Sequence, residues 1–250
     1  MQLLSTKVFE GLDVVHGFTT RSGGVSTGTW GSLNLARRPE EPEAVLVENW
    51  SRVAQALGLT AEDIAILSQV HEARVVHARE PSGPLQTLAS ADGMWTARPG
   101  LALAVRVADC VPVLLACRGG VAVAHAGWRG TAAGVVAATV RALAEGVGCA
   151  PHEVRAAVGP HISGAAYEVG PEVVAGLVSS GLAPTDVVRP GKRGRPHVDL
   201  GSAVDVQLRT LGVTQIAHLG ACTYSEDRFH SYRRDGAAAG RLAGVIARAS

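Results

Sequence analysis

The chain has 250 residues, 47% of them hydrophobic and 18% charged, and a formal net charge of +1. That length and apolar content suit one large domain with a buried core and exclude a disordered, charge-rich chain. The near-neutral charge excludes an extended nucleic-acid surface, which needs a net basic face, and directs attention to small-molecule partners.

No run reaches the roughly 18 apolar residues of a membrane span. The start, from Met1 to Lys7, lacks the basic and apolar regions of a signal peptide, so a cytoplasmic protein with no membrane partner is expected. The cysteines at 110, 117, 149 and 222 contain no Cys-x-x-Cys pair, which indicates neither a disulfide framework nor a zinc ribbon.

In chain order, residues 13–20 read as a strand entering a glycine-rich loop over 21–31. The loop matches neither Gly-x-x-x-x-Gly-Lys-Ser/Thr nor Gly-x-Gly-x-x-Gly, so no nucleotide P-loop or dinucleotide fold is indicated. Arg21, among glycines and hydroxyls, is an anion-cradle candidate, against the simpler reading of a structural loop. Residues 44–58 carry apolar side chains near helical period and stop at Gly58. Residues 64–71 and 73–77 read as two strands or one bent strand, with His71 at a strand end and a loop over 79–88 following.

Ala91-Asp92-Gly93 is turn-like, and residues 101–107 form a strand that ends in Asp109-Cys110. Residues 111–116 and 121–124, joined by Arg118-Gly119-Gly120, read as a hairpin whose strands are buried on both faces. From Gly130 to Gly146 apolar residues occupy every helical phase, predicting a mostly buried helix just past His125 that brings backbone N–H groups and Arg129 to any site there. Further on come a strand at 154–158, a proline-initiated helix at 171–180 and a basic, breaker-rich solvated loop at 189–197. An amphipathic helix at 202–211, a strand at 216–219 and a polar segment over 222–240 complete the reading. With no linker and no repeat, this alternation predicts a single α/β (α+β) domain over 1–250, with a mixed β-sheet flanked by helices.

His71, Cys110 and His125 all fall at predicted strand ends, where α/β proteins keep their chemistry. One thiolate and two imidazoles suit zinc, and three protein ligands leave a fourth position open; their spacing is too long to be diagnostic, and from pattern alone each residue taken separately reads first as buried packing. Copper would bind such a set more tightly than zinc in vitro. The same residues allow a cysteine hydrolase with Cys110 as nucleophile and His125 as base. A structural zinc in a non-catalytic binding protein would need a fourth ligand, for which His77 and Cys222 are the candidates.

A longer set of motifs runs in order from about residue 16 to 241: Thr20-Arg21-Ser22-Gly23-Gly24-Val25-Ser26, Ser32-Leu33-Asn34-Leu35, Gln69-Val70-His71, Ala108-Asp109-Cys110-Val111-Pro112-Val113, His125-Ala126-Gly127-Trp128-Arg129-Gly130, Gly159-Pro160-His161-Ile162, Tyr167-Glu168-Val169-Gly170 and Ser231-Tyr232-Arg233-Arg234-Asp235-Gly236. With these the chain resembles the bacterial polyphenol-oxidase/laccase-domain family, also called the purine nucleoside phosphorylase or peptidoglycan editing factor family. The resemblance implies a zinc held by His71, Cys110 and His125, with purine nucleosides and phosphate as partners. It implies phosphorolysis of adenosine, inosine, guanosine and methylthioadenosine together with adenosine deamination, with copper-dependent polyphenol oxidation as the alternative.

On that reading Arg21 and Arg129 are the phosphate candidates, and Asp109 or Asp92 would orient ribose hydroxyls or protonate the base. Asn34 and Tyr167 are substrate-binding candidates, against loop satisfaction for Asn34 and core packing for Tyr167. A homo-oligomer is compatible with the sequence. The chain departs from the family pattern at Trp50, where many members carry arginine, and at His230 and Ala239. An arginine lost at Trp50 would have to be replaced by Arg21, Arg129 or Arg52.

Overall fold

The computed structural model describes residues 1–191 and 194–249. Its elements in chain order are β1 (Val14–Phe18), α1 (Glu43–Ala56), β2 (Ile64–Ile66), β3 (Val75–His77), β4 (Gly93–Thr96), β5 (Ala102–Val107), β6 (Val111–Cys117) and β7 (Gly120–Ala126). Then come α2 (Trp128–Ala132), α3 (Val135–Val147), β8 (Arg155–Val158), α4 (Pro171–Ser179), α5 (Pro184–Val187), β9 (Val188–Arg189) and β10 (His197–Val198). The chain closes with α6 (Leu200–Thr210), β11 (Gln215–His218), α7 (Tyr232–Asp235) and β12 (Leu242–Arg248).

These elements make a mixed α/β fold in which two mixed sheets lie face to face between helices. One sheet has the order β1-β12-β5-β2 and the other β11-β8-β6-β7-β4-β3. Alternation along each strand decides what faces what. Leu103, Val105 and Ile246 of the first sheet meet Leu114, Ala116 and Val123 of the second in a core between the sheets. Ala102, Ala104 and Val245 point the other way, against Leu46, Trp50 and Val53 of α1. Val113, Leu115 and Ala124 point out of the second sheet against α3, α4 and α6. Strands covered on both faces have no polar face, which is why residues 111–126 read as near-continuous apolar runs.

The hairpin is observed as expected: Cys117 pairs with Gly120 across the two-residue turn Arg118-Gly119, and Gly119 takes the left-handed φ of 98° that such a turn needs. Of the two readings of residues 64–77, two strands hold rather than one bent strand, because β2 pairs with β5 in one sheet and β3 with β4 in the other. Other expectations are corrected. The turn at Ala91-Asp92-Gly93 opens directly into β4.

The helix expected over 130–146 is broken at Gly134, whose φ of 84° ends α2 and starts α3. A single sheet was expected, whereas the apolar strand β12 at the end of the chain builds the second one between β1 and β5. In the basic segment Arg189 and His197 pair across the short β9–β10 ladder, while Lys192 and Arg193 lie outside the described residues. Among the described residues no helix is long and apolar enough to cross a membrane.

Candidate active site

The β6–β7 hairpin places the centre of the site. Pro112 lies opposite His125 in the ladder, so the residue just before β6, Cys110, and the last turns of β7 come side by side at one sheet edge. His71 arrives from the connection between β2 and β3, where it holds a φ of 63°, a strained value for a residue with a side chain. The ligating atoms of His71, Cys110 and His125 all lie within 4.8 Å of one another. Cys110 Sγ is 4.0 Å from His71 Nε2, and the two imidazoles meet edge to face with centroids 4.8 Å apart.

Asp92, fully buried, holds this group together. Its Oδ1 is 2.7 Å from His125 Nδ1, which leaves Nε2 for the cleft. Its Oδ2 accepts from the amides of Val70 (3.0 Å) and Glu72 (2.9 Å), the residues on either side of His71. One carboxylate therefore orients one imidazole and clamps the loop that carries the other. Gly127 follows β7 directly, and a Cβ there would stand 2.9 Å from His71 Cδ2 and 3.0 Å from Cys110 Sγ, so only glycine leaves the group its room.

Burial by itself pushes the Cys110 thiol up, but the charge and hydrogen bond of His125, joined by those of His71, outweigh it and bring it down to about 6. Burial pushes His125 down, and the Cys110 charge with the Asp92 hydrogen bond reverses this to about 9. Near neutral pH the two form a thiolate–imidazolium pair in the absence of a cation.

The donors fit a metal ion: two nitrogens and a sulfur converge, a carboxylate supports one imidazole from behind, and one side opens into a cleft. The 4.0 Å between sulfur and His71 nitrogen compares with about 3.5 Å expected between such atoms on a tetrahedral zinc, so slight closing suffices. Neither candidate fourth ligand joins them. His77 stacks on Trp95 at 3.9 Å, and Cys222 accepts from the Ser163 amide.

The cleft has a volume of about 660 Å³. Besides His71, Cys110 and His125 it is lined by Arg106, Arg129, Arg233 and Arg241, and among the described residues none of these arginines lies within ion-pair distance of a carboxylate. Burial, then the neighbouring Arg241 charge, lowers the Arg106 guanidinium below its usual range. Arg129 lies over the Trp128 ring at 4.4 Å and Arg233 over the Tyr167 ring at 4.9 Å. Burial pushes Tyr167 up to about 12, so its phenol stays protonated.

Of the residues singled out in the sequence, Cys110, His125, His71, Asp109, Arg129 and Tyr167 line this cleft. Asp109 does so with its carboxylate engaged, Oδ1 accepting from Thr223 Oγ1 and Oδ2 from the Arg233 amide, both at 2.6 Å. Asp92 stands behind His125. Arg21 lies elsewhere, donating to the carbonyls of Thr29 and Gly31 within its own loop, each at 3.0 Å. Asn34 is fully buried and accepts from the amides of Ala36 and Arg241, which shapes the backbone beside the cleft without reaching it.

Trp50 lies on the buried face of α1, and Arg52 turns out to Glu48 and the Gly23 carbonyl, so Arg129 is the one of the three replacement candidates at the cleft. Arg106 and Arg241 are not among the sequence candidates, and Gln69 and Arg233 stand there only within motifs, with no role assigned. Arg106 carried a signal, being the one charge inside the apolar run 101–107. Gln69 fixes that strand by bonding the Arg106 amide and carbonyl at 2.8 and 2.7 Å.

Comparison with known proteins shows the extent of the likeness. The profile of the family described as multi-copper polyphenol oxidoreductase laccase matches residues 15–249. A Deinococcus radiodurans protein named purine nucleoside phosphorylase is 43% identical over 237 residues, covering 94% of this chain and 89% of that one. A Streptomyces griseus protein named purine nucleoside phosphorylase ORF3 is 40% identical over 234 residues, covering 92% of each chain. Among solved structures, YlmD from Geobacillus stearothermophilus superposes with a TM-score of 0.91 at 32% identity, covering 98% of this chain and 94% of the other. The Bacillus licheniformis hypothetical protein YfiH does so with 0.88 at 33%, covering 94% and 92%.

Proposed function

Because the chain belongs to the multi-copper polyphenol oxidoreductase laccase family, we propose that it works as a purine nucleoside phosphorylase whose cleft takes a nucleoside and inorganic phosphate. The observation that carries this reading is the set of four arginines without carboxylate partners beside the His–Cys–His group. Arg106 and Arg241 are half-buried, where a guanidinium without a counter-charge is costly unless a ligand supplies the anion.

The reaction forms a bond from a phosphate oxygen to the sugar C1′ as the bond from C1′ to the purine nitrogen breaks; the electron pair leaves with the base, which takes up a proton. The chain's contribution is positioning and electrostatics. Arg129 and Arg233 at the rim and Arg106 and Arg241 deeper in hold the phosphate against the sugar. The Tyr167 phenol is available as a hydrogen-bond donor, and Trp128 and Tyr232 give the base an aromatic wall. Asp109 fixes the Arg233 backbone, and Asp92 fixes both histidines.

The ligand set suits zinc, which when bound at His71, Cys110 and His125 supplies Lewis acidity to a reacting oxygen. Adenosine, inosine, guanosine and methylthioadenosine are the proposed substrates, with adenosine deamination as a second activity of the same cleft.

Chromatography of purines after incubation with each nucleoside tests this. Free base is expected only when phosphate is present and is lost in Cys110→Ala, while Arg129→Ala raises the KM for phosphate at least about 10-fold. Turnover of phenols alone, and only with added copper, would overturn it.

A further inference from the structure

Cys117 and Cys149 take no part in the cleft. Cys117 is the last residue of β6 and is 2% exposed; Cys149 follows Gly148, the left-handed stop of α3, and is half-buried. As free thiols their sulfurs stand 2.8 Å apart. Both backbones are held in place independently of each other, Cys117 by its ladder partner Gly120 and Cys149 by donating its amide to the Ala144 carbonyl at 3.0 Å. The last turn of α3 also rests on the hairpin: a Cβ on Gly120 would come within 2.6 Å of Val147 Cγ1 and 2.8 Å of Leu143 Cδ1. The two sulfurs are thus brought together by packing that does not depend on them.

We propose that Cys117 and Cys149 form a reversible disulfide, made by exchange with a small-molecule disulfide, that locks the end of α3 onto the β6–β7 hairpin. Cys149 is the sulfur open to solvent, whereas burial, then the neighbouring Cys149 thiol, pushes Cys117 up and keeps it protonated. The Cys149 thiolate attacks one sulfur of the small disulfide, breaking its S–S bond and releasing one small thiol. Cys117 then gives up its proton to solvent and attacks Cys149 Sγ, displacing the second small thiol. The two protein thiols lose two electrons and two protons, and the small disulfide gains them. The bond closes a loop spanning 32 residues. Its expected effect is a rise in Tm on the order of 10 °C.

The test incubates the native protein with oxidised glutathione, then combines peptide mapping with thermal unfolding. The expected result is a Cys117–Cys149 cross-linked peptide, a mass lower by two hydrogens, and a Tm rise that dithiothreitol reverses. The rise is absent in Cys149→Ser and kept in Cys222→Ser. Recovery of both cysteines as free thiols, a lasting glutathione adduct on Cys149 with Cys117 still free, or a cross-link that leaves Tm unchanged would each overturn the proposal.

Discussion

Asp92 spends both carboxylate oxygens on the ligand set, one on His125 and the other on the amides flanking His71. Asp92→Asn keeps the shape but removes the charge that supports the imidazole, so metal affinity is expected to fall about 10–100-fold in a chelator competition. An unchanged affinity would mean that the clamp does not tune the ligands. Cys110 gives a second prediction, because its thiol is held at about 6, below the ordinary cysteine range. A lowered value means that the thiolate is present above that pH. Alkylation of chelator-treated protein should therefore accelerate as pH rises through about 6 and level off near neutrality, and added metal should suppress it. A midpoint near the ordinary value of about 8.5 would contradict the His125–Cys110 pairing. Cys110 and His125 stood out in the sequence as polar residues beside apolar runs, whereas their grouping with His71 as a ligand set rested on the family resemblance rather than on spacing. Arg21 and Asn34 were binding candidates set against a loop role, and the loop role holds: Arg21 is taken up by carbonyls of its own loop, and Asn34 by the nearby Ala36 amide and by the Arg241 amide, which only the fold brings close.

At the scale of elements, the β6–β7 hairpin was legible down to its turn, since two apolar runs around Arg118-Gly119-Gly120 admit few other arrangements. The connection from β2 to β3 was not. Its apolar residues continue across the point where the chain leaves one sheet for the other, and hydrophobicity does not say which core a residue enters. The same limit hid β12, whose apolar run lies beyond the polar segment and whose partners β1 and β5 are far away in sequence. Gly127 is where element packing and chemistry meet. Gly127→Ala should weaken metal binding at least about 10-fold, because the new Cβ meets His71 and Cys110. The fold should persist, with a Tm change of only a few degrees, as Gly127 has an ordinary φ of −76°. Metal stoichiometry measured beside thermal unfolding separates the two effects.

For the whole molecule, two sheets between helix layers hold His71, from the connection where the chain crosses between the sheets, against the hairpin carrying Cys110 and His125. The fold has an acid-sensitive point. His230 is fully buried, donates through Nε2 to the Leu33 carbonyl at 2.9 Å and has no partner for Nδ1 among the described residues. Burial foremost lowers it from 6.5 to about 4. The unfolded chain therefore takes up a proton that the folded chain refuses, and stability present above pH 6.5 is lost as pH falls from there toward 4. His230→Phe should lessen the stability lost between pH 8 and pH 5 by about 2 kcal/mol, as read by denaturant unfolding at the two pH values; an unchanged loss would place the acid-sensitive group elsewhere.

On the proposed function, the arginine-lined cleft beside His71, Cys110 and His125 transfers a purine nucleoside's sugar to phosphate. The most direct test is product analysis of the metal-replete protein with adenosine or inosine and phosphate, following the sugar by phosphorus NMR and the base by chromatography. Pentose 1-phosphate and free base are expected in equal amounts. Free pentose formed regardless of phosphate, or base release that persists unchanged in Cys110→Ala, would contradict it.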